Sequence, residues 1–122
     1  MYVVTSPSDS LPDFQREVLA FSAARDWLRF HDPKSLILAL VGEVGELAEL
    51  FQWVPADEAA ARFADGRPSE RVREELADVL IYLVSLANAL DVDLLAAGRA
   101  KLASGDDRFP IDQVLGTAPE KG

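Results

Sequence analysis

Gly42-Glu43-Val44-Gly45-Glu46-Leu47-Ala48-Glu49-Leu50-Phe51 is the stretch that decides how this chain folds. Wound at about 100° per residue, the segment from Ser35 to Phe51 places Leu36, Leu40, Leu47 and Leu50 on one arc, as expected of a helix that buries one side. Glu43 falls inside that arc, and Glu46 lies at its margin. A carboxylate among leucines is costly unless something neutralises it. The start of the segment, Leu36-Ile37-Leu38-Ala39-Leu40-Val41, is apolar all round, which suits a helix sandwiched between neighbours. Further along, Glu74-Glu75-Leu76-Ala77-Asp78-Val79-Leu80 repeats the arrangement within a helix predicted from about Ser69 to Leu90. Val72, Leu76, Val79, Leu83, Leu86 and Leu90 make its apolar face. Glu75 and Asp78 run along one margin, and Tyr82 continues the line.

Outward from these two helices the pattern stays helical. The apolar spacing of Phe14, Val18, Phe21 and Leu28 predicts a helix from about Asp13 to Phe30. His31-Asp32-Pro33-Lys34-Ser35 breaks it, with Pro33 making the stop sharp and Ser35 suited to cap the next helix. Residues 53–68 read as a linker with a short helix between Asp57 and Ala64. Asp91-Val92-Asp93 offers a new cap, followed by a helix to about Ser104 that Gly105 would terminate. There is no strand alternation and no internal repeat. The expected fold is all-α, an antiparallel bundle of four main helices. Residues 1–12 and 111–122 read as tails flanking one domain over 13–110.

Composition narrows the chemistry. The chain has 122 residues, about one domain's worth, so assembly into an oligomer would help it bury apolar surface. It has no cysteine and a single histidine, His31, which rules out disulfides, thiolate metal sites and histidine-rich zinc or iron centres. A net charge of −9 makes it a poor ligand for nucleic acid. No apolar run is long enough to span a bilayer, and Met1 to Leu11 lacks the features of a secretory signal. The expectation is a cytoplasmic protein with no membrane and no nucleic-acid partner.

Both acidic pairs, Glu43/Glu46 and Glu75/Asp78, are spaced i, i+3, which puts each pair on one face of its helix. If the two helices run antiparallel, the acidic margins can meet. Oxygen-only donors favour magnesium or manganese over zinc. The plainer reading is a solvated surface, with Arg71 or Arg73 pairing with Glu75 or Glu74. Glu43 inside an apolar arc and the recurrence of the pattern on two helices weigh against it. A di-iron carboxylate bundle would call for Glu-x-x-His pairs, and no histidine follows either glutamate.

Gly42 to Trp53 and Glu74 to Leu83, with Arg25-Asp26-Trp27, Phe30-His31 and Pro33 upstream, resemble the MazG-like all-alpha nucleoside triphosphate pyrophosphohydrolases. Within them the sequence is most similar to the dCTP pyrophosphatase branch. The resemblance implies a magnesium-dependent cleavage of a dNTP, dCTP or a modified dCTP above all, to the monophosphate and pyrophosphate. It implies Glu43, Glu46, Glu75 and Asp78 as metal ligands, and Trp27, Trp53 and Tyr82 around the base and sugar. Lys101 and Arg108 match a basic pair that contacts the phosphates, and the family assembles as dimers or tetramers. Gly105 stands where the family has an asparagine, Gly42 where many members have a glutamate, and Val18 where some carry a histidine. Glu46 and Glu49 are the candidates for positioning the attacking water. Glu49, Lys101 and Arg108 read equally well as surface charges, and tryptophans are more often core or interface residues than ligand platforms. The competing function is a non-catalytic helical module that binds a nucleotide or a partner.

Overall fold

Short polar side chains decide where the helices begin. The computed structural model describes residues 9–119 and contains six α-helices among them: α1 (Leu11–Ala24), α2 (Pro33–Phe51), α3 (Ala59–Arg62), α4 (Gly66–Ala89), α5 (Leu94–Arg108) and α6 (Ile111–Val114). Ser10 caps α1, its hydroxyl accepting from the Asp13 N–H at 3.2 Å. Asp32 caps α2 by accepting from the Ser35 N–H at 2.9 Å, and Asp93 caps α5 by accepting from the Ala96 N–H at 3.1 Å. These bonds satisfy amide donors that have no partner inside the helix. The bond from Ser35 holds the Asp32 carboxyl below the usual carboxylate range. The cap of α2 is therefore Asp32, not Ser35, because Pro33 occupies the first turn, where a missing N–H costs nothing.

The first helix ends at Ala24, short of the expected Phe30, and the reason is local. Asp26 adopts φ 54°, in the left-handed region. The Asp26 N–H returns to Ala23 O at 3.1 Å and the Trp27 N–H to Ser22 O at 3.0 Å, the bonding of a Schellman turn. A 3₁₀ turn over Leu28–Phe30 then leads to Asp32. Asp91, with φ 55°, ends α4 in the same way, with the Val92 N–H returning to Ala87 O at 2.8 Å. Aspartate tolerates this conformation better than most residues do, although glycine is the usual signal for it. Glycine by itself is not a terminator here: α5 runs through Gly105 to Arg108, and α6 lies in the stretch expected to be a tail.

The core of the fold is α2 against α4, with α1 packed on α4 and α5 on α1. Val18, Leu36, Val84 and Ala87 are the buried hydrophobic side chains among the described residues. The apolar face expected on α4 goes inside only in part: Val72, Val79 and Leu86 are half-buried. Leu76, Leu83 and Leu90 on the same face are exposed, while α2 and α1 pack against α4. On α2, Ile37, Leu38, Val41 and Val44 are exposed as well. No single helix among the described residues is long and apolar enough to cross a membrane.

Candidate active site

The acidic residues of α2 and α4 meet in register. Glu43 and Asp78 line one cavity, and Glu46, Glu49, Leu50, Arg71 and Glu75 line the hollow beside it. Positions that rise along α2 thus face positions that fall along α4, so the two helices run antiparallel, as the sequence predicts. One oxygen from each of Glu43, Glu75 and Asp78 lies within 4.8 Å of the others. Glu43 Oε2 and Glu75 Oε2 are both shut off from solvent and have no hydrogen-bond partner. Buried polar oxygens are ordinarily bonded, and a carboxylate left this way is poised for a cation.

The electrostatics follow from the crowding. Burial, then the charges of Glu46 and Asp78, push the Glu43 carboxyl up from 4.5 to about 7. Burial and the same two neighbours also raise Glu75. Like charges brought together out of water disfavour ionisation, and a divalent cation reverses that balance. The donor set is oxygen only, with Glu46 close enough to act on both glutamates. The residues present therefore fit a hard divalent metal.

On one side of the carboxylates lies a cavity of about 420 Å³ walled by Phe14, Glu17, Val18, Phe21, Ser22, Trp27, His31, Glu43, Asp78, Ile81, Tyr82 and Ser85. The Schellman turn at Asp26 swings Trp27 back over α1, where it meets Phe21 edge-on at 5.9 Å between ring centres. The Arg25 guanidinium sits 3.6 Å from the Phe21 ring centre and donates to Phe21 O at 3.0 Å. The Ser85 hydroxyl is turned to its own helix, donating to Ile81 O at 2.8 Å.

The structure brings Trp27, Tyr82, Glu43 and Asp78 into one cavity and Glu46, Glu49 and Glu75 into the next. Trp53 is 85% exposed at the exit of α2 and lines neither. Lys101 and Arg108 are exposed on α5 and line neither; the Arg108 guanidinium lies 5.1 Å from the Phe109 ring centre. Sequence reasoning does not name Glu17, and it reads Phe21 as a packing residue, Arg71 as a surface ion-pair partner and His31 as part of the break after the first helix. The structure puts Glu17, Phe21 and half-buried His31 on the wall of the first cavity and Arg71 on that of the second. Phe14, Glu17 and Phe21 do carry a signal, since i, i+3, i+7 spacing aligns them on one side of α1. His31 carries none, because its place depends on the turn at Asp26.

A family model described as MazG-like matches residues 39–118. The chain is 46% identical over 113 residues to dCTP pyrophosphatase 1 of Bos taurus, covering 93% of this chain and 67% of that protein. It is 49% identical over 105 residues to the Homo sapiens protein of the same name, covering 86% of this chain and 62% of the relative. The chain thus spans about two thirds of the length of the curated relatives it matches. A pyrophosphatase crystal structure from Archaeoglobus fulgidus is similar with a TM-score of 0.75 and 30% identity, covering 88% of this chain and 99% of that one. Acidic pairs in register on two antiparallel helices, the family model and these relatives agree: the chain belongs to the MazG-like family.

Proposed function

We propose that this chain is a metal-dependent nucleoside triphosphate pyrophosphohydrolase that cleaves dCTP or a modified dCTP to the monophosphate and pyrophosphate. One observation carries the reading: the carboxylates of Glu43, Glu75 and Asp78 converge beside an aromatic cavity of about 420 Å³, and two of the three keep a buried oxygen without a partner. Relatives named dCTP pyrophosphatase 1 support the choice of base.

Glu43, Glu46, Glu75 and Asp78 would hold magnesium, or manganese in its place, which when bound neutralises phosphate charge and polarises the α-phosphoryl group. The chain's own residues do the rest. Trp27, Tyr82 and Phe21 enclose the base and sugar and keep water from them. Glu46 or Glu49 orients a water for in-line attack on the α-phosphorus and takes its proton. The bond from the α-phosphorus to the α–β bridging oxygen breaks, and pyrophosphate leaves with the bonding electrons. The assembly is a homo-oligomer, dimer or tetramer. Its support is the stripe Ile37, Val41 and Val44 on α2 and the stripe Leu76, Leu80 and Leu83 on α4, all exposed in one chain. Trp53, Lys101 and Arg108 would then serve a site across an interface between copies. The absence of cysteine suits a cytoplasmic setting.

The test is a panel of dCTP, 5-methyl-dCTP, dTTP, dUTP, dATP and dGTP, with magnesium and then with EDTA, products separated by chromatography. The expected result is magnesium-dependent release of monophosphate and pyrophosphate, fastest for the cytosine nucleotides. Release of orthophosphate and diphosphate would place the cleavage at the wrong bond. No turnover at all would leave a binding module.

A further inference from the structure

On the side of the carboxylates away from the aromatic cavity, the surface changes sign. The hollow holding Glu46, Glu49 and Glu75 also holds Arg71 and has a volume of about 360 Å³. It continues into a second hollow, of about 400 Å³, which shares Glu49, Leu50 and Arg71 with it and adds Arg62 and Arg67. Three arginines lining one concavity is unexpected in a chain with a net charge of −9. Among the described residues the ion pairs are Arg16 with Asp13 and Arg29 with Asp26, and none involves these three. Glu49 lines the same hollow and still pairs with none of them. Arginines that line one hollow and form no ion pair favour an anion, and guanidinium groups match phosphate oxygens in pairs.

The order of groups along α4 adds direction. Tyr82, Asp78, Glu75 and Arg71 follow one another at intervals of three or four residues, each a step of about 5–6 Å along one side of the helix. Aromatic ring, carboxylates and guanidinium thus succeed one another as base, metal-bridged phosphate and terminal phosphates do in a nucleoside triphosphate. We propose that Arg71 and Arg67, with Arg62 at the rim, form the subsite for the β and γ phosphates and for the pyrophosphate product, supplied by the same chain that supplies the carboxylates. The inference rests on the pyrophosphohydrolase reading and names the part of the site that holds the leaving group.

The experiment is calorimetric titration of the full chain, in magnesium, with inorganic pyrophosphate and separately with dCMP. Arg71→Ala weakens pyrophosphate about tenfold, the loss of a charge-assisted contact, and the Arg71→Ala, Arg67→Ala double variant weakens it further. Arg71→Lys recovers part of the loss, and dCMP binding stays within about twofold of wild type in every variant. Arg73→Ala, on the same helix but lining neither hollow, binds both ligands as wild type does. Unchanged pyrophosphate affinity in the double variant would overturn the subsite. So would an equal loss for dCMP, which would mean the arginines act through the shape of the whole site. Turnover of dCTP by the wild-type preparation is measured alongside. Its absence would sink the pyrophosphohydrolase reading, and the pyrophosphate titration would still decide the arginine site.

Discussion

Two polar clusters lie inside this bundle, and they differ in how their hydrogen bonds are met. At the corner of α1, α4 and α5, Gln15 is only 7% exposed and is fully engaged. Its amide donates to Val92 O at 2.9 Å and to Asn88 Oδ1 at 3.3 Å, and its oxygen accepts from the Leu94 N–H at 3.0 Å. Asn88 replies by donating to Gln15 O at 3.0 Å. Between α2 and α4, Glu43 and Glu75 each keep a buried oxygen with no partner. The Gln15 cluster is complete within the chain and ties the end of one helix to the start of another. The glutamate cluster is incomplete without something the chain does not contain. A satisfied buried group belongs to stability, and an unsatisfied one is the better guide to function.

Substitution at the glutamates sharpens that contrast most. Glu43→Gln or Asp78→Asn should lower turnover of dCTP by more than about 100-fold while leaving the helical circular dichroism spectrum unchanged, since a neutral amide is a poor partner for a hard cation. Full activity in either variant would break the metal assignment. In the absence of metal, Glu43→Gln should be at least as stable as wild type, because it removes charge from an uncompensated site.

The opposite pattern is expected at the other cluster. Gln15→Ala strands Val92 O, Asn88 Oδ1 and the Leu94 N–H, and should cost about 2–3 kcal/mol in chemical denaturation. Its magnesium affinity, measured by calorimetry, should stay near the wild-type value. A large loss of metal binding with little loss of stability would erase the distinction between the two regions.

The smallest effect is in pH dependence. Glu43 titrates at about 7 in the folded chain against an ordinary value of 4.5. The protonated form is thus favoured by folding, and the stability it contributes is present below 4.5 and lost as pH rises through about 7. The melting temperature of the metal-free protein should fall between about pH 5 and pH 8, and Glu43→Gln should flatten that fall. Added magnesium should raise the midpoint more at about pH 8 than at about pH 5.5, because the metal binds the ionised carboxylates. A melting temperature that climbs over this range would contradict the crowding of the carboxylates.

Much of this was open to a reading of the sequence. The i, i+3 acidic pairs, the leucines around Glu43 and the aspartate before α5 each carry a local rule that holds in the folded chain, as do the antiparallel pairing and the all-helical class. Other features have no local rule. Asp26 closes α1 in a conformation for which glycine is the usual signal, so the end of that helix, the place of Trp27 and the approach of His31 to the cavity could not be read along the chain. How much of the apolar side of α4 is buried within the chain has no local rule either. Val72, Leu76, Val79, Leu83, Leu86 and Leu90 make a consistent apolar stripe, but a stripe records only that a side is to be covered. What covers it depends on where α1 and α2 pack, and for Leu76 and Leu83 neither does. The sequence by itself determined the residue types and spacings that make helices and gather like chemistry on one side of each. Only tertiary packing decided which of those sides meet, because the close approach of Glu43 to Asp78, or the placing of Arg71 and Arg62 around one hollow, depends on how segments remote along the chain pack together.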